Sequence, residues 1–188
     1  PCLARLGFAM SCAARSVAMT AAVDRLARRH LLRSDRQEDI CFGLWRISKG
    51  QTRTTALIER LILPDAGERH VHGNASFEPS FLERALAEAA ATGSGLALLH
   101  SHPRGRGWQG LSRDDVVAEQ SNAGAAFGAT AHPFVGLTLA GDGAWSARFW
   151  ERTAPRTYPV AWCATARVVG DRLAVSFMDK LAPIPQST

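Results

Sequence analysis

The chain has 188 residues, enough for one domain with a full core and too few for two large ones. A hydrophobic fraction of 46% and a charged fraction of 21% are near globular averages and exclude wholesale disorder. The formal charge is +5, yet the arginines are scattered, and the one cluster, Arg25, Arg28, Arg29 and Arg33, reads as the solvated face of a helix, so no nucleic-acid partner is expected. No apolar run approaches the roughly 20 residues of a membrane span, which excludes a membrane partner of that kind. Cys2, Cys12, Cys41 and Cys163 lie far apart without Cys-x-x-Cys spacing. That pattern excludes a zinc knuckle or a small disulfide scaffold and fits the thiols of a cytoplasmic protein.

In chain order, residues 1–19 are expected to be a poorly ordered tail, because Arg15 interrupts their apolar character and Met19-Thr20 stands directly before a helix. Thr20 can cap that helix through about Leu32, with Val23, Leu26, Ala27 and His30 on one face. His30 is expected at the edge of the core. Residues 38–47, a mostly apolar run, and 54–63 read as two strands joined by the turn Ser48-Lys49-Gly50-Gln51, an antiparallel hairpin. His70 and His72 follow in a stretch expected to be loop, with no third ligand near them in sequence. Ser76 or Glu78 starts a second helix, with Pro79 tolerated in its first turn, and Thr92-Gly93-Ser94-Gly95 ends it.

A buried strand, residues 96–99, comes next and runs into His100-Ser101-His102-Pro103. After a Gly-rich loop, Ser112 stands three residues ahead of Asp115 at the start of a helix reaching about Gln120, which Gly124 weakens. Strands at 134–140 and 144–150, turned by Gly141-Asp142-Gly143, form another hairpin whose buried face carries Trp145, Ala147 and Phe149. A break at 154–159 precedes a last hairpin, residues 160–169 and 172–177, and a Pro-rich linker at 180–185. Helix alternating with strand predicts an α/β domain with a curved mixed sheet flanked by helices, over residues 20–152. Residues 153–188 are expected to be a β-hairpin extension and linker.

The stretch from 96 to 115 carries the chemistry. In a strand, residues two apart point the same way, so His100 and His102 project together while Ser101 points away. Pro103 stops the ladder and leaves both imidazoles at a strand end. Two imidazoles and a carboxylate, Asp115, match a catalytic zinc site, in which three protein ligands leave a fourth position for water. Such an ion makes hydroxide available at neutral pH and needs a carboxylate to move the proton. Glu38, at the mouth of the first apolar strand, is the best candidate, with Asp39 beside it as the alternative. Ser112 with Asp115 is also a capping-box pattern, which by itself would merely start a helix.

Glu38, His100-Ser101-His102-Pro103 and Ser112-Arg113-Asp114-Asp115, in that order, resemble the signature of the JAMM (MPN-domain) zinc metalloprotease family. The resemblance covers roughly residues 20–150. It implies the JAMM/MPN, cytidine-deaminase-like fold, a Zn2+ ion held by His100, His102 and Asp115, Glu38 as general base and Ser112 as donor to the oxyanion. The runs Glu-Asp-Ile-Cys-Phe-Gly-Leu-Trp and Gly-Trp-Gln-Gly-Leu-Ser are similar to bacterial members found beside or fused to ThiF-like adenylating domains. The implied partners are therefore a ubiquitin-like or sulfur-carrier-like protein, cleaved after its C-terminal glycines, and a ThiF-like protein or domain. Within the loop, Gly105, Gly107 and Gly110 permit close approach of a glycine tail, Trp108 could cover it, and Arg104 and Arg106 could meet acidic substrate groups. Two further readings stand beside this one: a catalytically silent MPN-type scaffold, and a hydrolase of small peptides or acyl-amino acids.

Overall fold

The computed structural model describes residues 14–72, 74–170 and 174–177. Cys2, Cys12 and the linker expected at 180–185 lie outside these residues.

The first strand, β1 (Ala14–Thr20), corrects the expectation of a tail over residues 1–19 as far as residues 14–19 are concerned. It runs parallel to two strands from far along the chain, pairing Val17 with Ala56 on one side and with Ala166 on the other. Val17 and Met19 are core residues. Arg15, which breaks the apolar run in sequence, sits near the strand start with its Nε on the Glu151 carboxylate.

Helix α1 (Ala21–Leu31) begins as expected, with Thr20 Oγ1 accepting the Val23 amide at 3.3 Å. His30 closes its last turn and bonds the Ile40 carbonyl at 2.9 Å, an edge-of-core position. Strands β2 (Ile40–Lys49) and β3 (Arg53–Ile62) form the expected antiparallel hairpin, with a register shift between Leu44 and Trp45. The stretch expected to be loop around His70 holds a small hairpin of its own, β4 (Arg69–His72) and β5 (Asn74–Phe77). Helix α2 (Pro79–Thr92) starts on Pro79 and stops at Gly93, whose φ of 62° is the left-handed conformation of a helix C-terminus.

Strand β6 (Gly95–His102) then pairs antiparallel with β2. Helix α3 (Arg113–Thr130) is longer than expected. Gly124 does not end it, because Ala123 and Ala126 are buried against the sheet and tertiary packing outweighs the local helix penalty of glycine. Strand β7 (Phe134–Ala140) returns parallel to β6, and β8 (Trp145–Trp150) turns back beside it.

The run at 160–169 is two strands, β9 (Val160–Trp162) and β10 (Thr165–Val169), which lie far apart in one sheet of nine strands among the described residues, β9 at one edge and β10 second from the other. Strand β11 (Ala174–Phe177) makes the expected hairpin with β10. The sheet order is β11-β10-β1-β3-β2-β6-β7-β8-β9, so residues 163 and 164 carry the chain from one edge to the strand next to the other. The Cys163 amide bonds Ala147 on β8 at 3.0 Å, and the next amide, Ala164, bonds Arg15 on β1 at 2.8 Å. Such a step requires the sheet to curl until its two ends meet. The expected extension at 153–188 is therefore, in its described strands, part of the main sheet.

The fold is thus α/β, with a curled mixed sheet flanked by helices. Alternation along the strands sorts two cores. Val17, Ile58, Leu99, Leu137, Trp145 and Phe149 pack with α1 on one face. Phe42, Leu96, Leu98, Phe134 and Trp150 pack with α2 and α3 on the other. No helix among the described residues is long and apolar enough to cross a membrane.

Close approach sets one residue choice firmly. The Trp45 ring is fully buried and donates its Nε1 hydrogen to the Leu96 carbonyl at 3.2 Å, lying over the start of β6. A Cβ at Gly95 would come within 2.2 Å of that ring. Gly95→Ala is expected to lower stability by about 1–3 kcal/mol, the usual cost of overpacking a filled core. A wild-type urea midpoint for this variant would show that the ring moves aside freely.

Candidate metal centre

On β6 the parity that buries Leu96 and Leu98 under α2 and α3 brings His100 and His102 to the same face. His100 is buried, and His102 stands half-buried at the strand end. Across from them α3 begins with a complete capping box. Ser112 Oγ accepts the Asp115 amide at 3.1 Å, and Asp115 Oδ2 accepts the Ser112 amide at 2.8 Å. The same carboxylate that closes the cap faces the histidines. Its Oδ1 is 3.7 Å from His100 Nε2, its Oδ2 is 3.5 Å from His102 Nε2, and the two Nε2 atoms are 3.2 Å apart.

Tetrahedral metal bonds of about 2.0–2.1 Å place ligand atoms about 3.3 Å from one another. The separations, those to Asp115 each taken to its nearer oxygen, lie close to that spacing, and His100, His102 and Asp115 could hold a metal ion. No other group of three or more candidate ligands occurs among the described residues. The rival pair is not such a site: His70 and His72 are exposed on β4, and His70 Nε2 meets Glu78 Oε1 at 2.5 Å.

The two carboxylates considered as base part company. Asp39 is 1% exposed and locked away from the site; its backbone amide bonds Ser101 Oγ at 3.0 Å, its Oδ1 accepts the Ile40 amide at 2.8 Å, and Arg69 pairs with its Oδ2. Glu38 is half-buried and borders two clefts. One cleft, of about 470 Å³, holds His102, Arg104, Gly105 and Gln109; the other holds His100, Asp115, Phe77 and Asn122. No family model and no curated protein matches this chain in sequence.

Charge in the cluster is unevenly distributed. Burial, and then the positive charge of Arg148, push His100 down to about 3 against the pull of Asp115. Burial also opposes a charge on His102, but the hydrogen bond and charge of Asp115, with Glu38 and Gln109 adding to them, outweigh it and raise its pKa. Burial works against ionised Asp115 as well, yet the His102 hydrogen bond, the field of His100 and the Ser112 hydroxyl and amide hold it well below the usual carboxylate range. Burial raises Glu38 above its ordinary value; Asp115 adds to the rise and His102 opposes it. A carboxyl moved toward neutrality is better matched to accepting and returning a proton.

The loop between strand and helix is tied down rather than free. Gly107 has φ 64°, and its amide bonds Asp142 Oδ2 at 2.8 Å; Gly141 donates to the carbonyls of His102 and Gly105. The Gln109 amide reaches Ser146 Oγ at 3.2 Å. Trp108, expected to be an exposed cover, turns inward: its ring lies against Trp162, 6.4 Å between centroids, and packs on the core. Arg104 and Arg106 are exposed; Arg104 borders the cleft with His102, and both line its continuation past Gly141.

Three polar residues around His100 were not anticipated. Arg148 on β8 is fully buried, and its Nε donates to Glu119 Oε2 at 2.8 Å. Its Nη1 donates to Thr138 Oγ1 at 2.7 Å, and that oxygen lies 3.3 Å from His100 Nε2. A signal existed: Glu119 follows Asp115 by four residues on a helix, and Arg148 is the one charged residue in a strand with three large aromatic side chains.

The opposite shifts of the two histidines set a pH dependence for the metal-free protein. Because His100 lies below its ordinary 6.5 in the folded state, its contribution to stability is present above pH 6.5 and is lost as pH falls toward about 3. His102 is raised, so its contribution is complete below pH 6.5 and is lost as pH rises through its folded value. Their joint contribution peaks near the ordinary histidine pKa. Urea midpoints measured across pH should show His100→Gln flattening the acid limb and His102→Gln the alkaline limb; limbs unchanged by both substitutions would contradict these assignments.

Proposed function

We propose that this chain is a zinc-dependent hydrolase of the JAMM/MPN type. In this reading it cleaves the amide bond after the C-terminal glycines of a ubiquitin-like or sulfur-carrier-like protein in the cytoplasm, in association with a ThiF-like partner. The observation that carries the reading is the convergence of His100, His102 and Asp115 at separations a single metal ion could bridge, with Glu38 bordering the two clefts that meet there.

Zinc bound there would supply a Lewis acid and a water whose pKa falls from 15.7 to about 7. The remaining chemistry falls to the chain. Asp115 enters with one oxygen already oriented by the Ser112 amide, so little freedom is lost when it ligates. His100, kept neutral by burial, offers a lone pair rather than a proton. Glu38 takes the proton of the attacking water on a carboxylate oxygen and returns it to the leaving nitrogen. Its raised pKa makes both transfers closer to neutral. Ser112 Oγ uses an acceptor position for the Asp115 amide, so its hydrogen can turn to the substrate oxyanion without breaking the cap.

Two clefts meeting at Glu38 suit a chain that extends to both sides of the cleaved bond. The side lined by Arg36, Arg104 and Gly105 is cationic at its rim and would receive acidic groups, whereas Phe77, Leu98 and Ala118 line the other.

Metal analysis of the purified protein, with hydrolysis of a ubiquitin-like fusion ending in Gly-Gly, tests the reading. One zinc per chain and cleavage by the wild type are expected. Glu38→Gln should keep the zinc and lose about 10²–10⁴-fold in rate, the usual contribution of a general base. His102→Ala should lose the metal. Full zinc with no cleavage of any Gly-Gly substrate would leave a binding scaffold instead, and undiminished cleavage by Glu38→Gln would remove Glu38 from the mechanism.

A further inference from the structure

Behind His100 lies an ion pair that the hydrolytic scheme does not use. Glu119, one helical turn beyond Asp115 on α3, is 1% exposed, and Arg148 on β8 is fully buried. The Arg148 guanidinium grips the Glu119 carboxylate through Nε and Nη2, and the Trp150 indole adds a third donor to Oε2 at 2.6 Å. The pair spans β7, which carries Gly136 at the crossing. A Cβ there would come within 2.3 Å of Glu119 Oε2 and 2.6 Å of Arg148 Nε. Space for the pair is therefore built into the sheet.

Stability alone is a poor account of such an arrangement. Desolvating two charges offsets most of their attraction, and apolar residues of similar volume commonly serve a core as well or better. What distinguishes this pair is that both partners reach toward the same imidazole. Arg148 Nη1 holds Thr138 Oγ1, which lies 3.3 Å from His100 Nε2, and Glu119 Oε1 lies 3.9 Å from His100 Nδ1. The two ring nitrogens thus face different surroundings. Nε2 looks to His102 Nε2 and Asp115, and Nδ1 looks to Glu119.

We propose that Glu119 is a positioning residue that keeps the His100 ring hydrogen on Nδ1 and its Nε2 lone pair directed at the metal centre, with Arg148 and Trp150 holding the carboxylate in place. The inference rests on the metal-site reading given above. At 3.9 Å the Nδ1–Oε1 approach is an electrostatic contact rather than a hydrogen bond. A carboxylate at that range still favours the tautomer that turns N–H toward it, and a metal-binding histidine commonly gives its second nitrogen to such a partner. Thr138 completes the frame. Its oxygen already accepts from Arg148, so its hydroxyl hydrogen is free to point at Nε2 while no metal is bound, which favours the same tautomer.

The test has two arms. In the metal-free wild type, long-range proton–nitrogen NMR of the histidine rings, assigned by the signals lost in His100→Gln, should show His100 with its hydrogen on Nδ1. Competition with a chromophoric chelator should show zinc affinity falling about 10–100-fold in Glu119→Gln, the usual effect of removing such a partner. A predominantly Nε2–H ring in the wild type would overturn the proposal, and so would zinc affinity in Glu119→Gln within twofold of wild type. Should Glu119→Gln not fold, Thr138→Val replaces it: a His100 ring that keeps its hydrogen on Nδ1 without the Thr138 hydroxyl supports Glu119, and a shift to Nε2–H overturns the proposal. A wild type that binds no zinc would remove the metal centre and this role together; a wild type that binds zinc no more tightly than Glu119→Gln removes only the role of Glu119.

Discussion

The capping box at the start of α3 is the joint on which the site depends. A helix N-terminus leaves backbone N–H groups without partners, and Ser112 and Asp115 satisfy two of them reciprocally. That exchange fixes the Asp115 carboxylate before any ligand arrives. One of its oxygens is committed to the Ser112 amide, and the whole group is turned toward the histidines at the end of β6. A local rule of helix initiation and the placement of a carboxylate that could join a metal ion are here one interaction. Loss of the cap would both fray α3 and free the carboxylate, so the two roles of Asp115 cannot be varied separately by substitution at Ser112.

The second constraint is the two-residue period of β6. It places Leu96, Leu98, His100 and His102 on the face under α2 and α3, so the forces that bury two leucines also aim two imidazoles. The same parity operates on the neighbouring strands. Gly136 and Thr138 on β7, and Arg148 and Trp150 on β8, lie on that face as well, opposite Val135, Leu137, Ala147 and Phe149. The histidines of the candidate metal centre and the polar residues behind them are therefore products of strand register. One residue of slippage in β6 against β7 would carry His100 away from Thr138.

How much of this was legible in the sequence follows from the range of the forces involved. The Thr20 cap, the hairpin around Gly50, the Gly93 stop and the His-x-His to Ser-x-x-Asp pattern are short-range features, and they stand where the sequence places them. Strand β1 was not legible because its partners, β3 and β10, are tens of residues away, and a seven-residue run containing an arginine has no local signal of being central. The division of residues 160–169 into two strands was hidden for the same reason. Nothing in Cys163-Ala164 announces that consecutive amides bond β8 and β1, which lie in opposite halves of the sheet. Trp108 was misplaced by a local argument, since an aromatic ring in a glycine-rich loop looks homeless until Trp162 is brought beside it from across the fold.

Arg148 shows where the two kinds of reasoning meet. The alternation Trp145, Ala147, Phe149 marks one buried face of β8, and the other face, with Ser146 and Arg148, looks like the solvent side of an edge hairpin. It is buried because α3 covers it and because β9 extends the sheet beyond it. A guanidinium enclosed in that way needs a carboxylate, and only α3 brings one, four residues after the metal-facing Asp115. The helix thus presents two carboxylates on successive turns with different tasks. Asp115 is half-buried beside the histidines at the mouth of the cleft; Glu119, buried deeper on the same helix face, borders that cleft as well, but both of its oxygens accept from Arg148 and Trp150. Depth along a single helix face separates the carboxylate that faces the histidines from the one that answers a buried guanidinium.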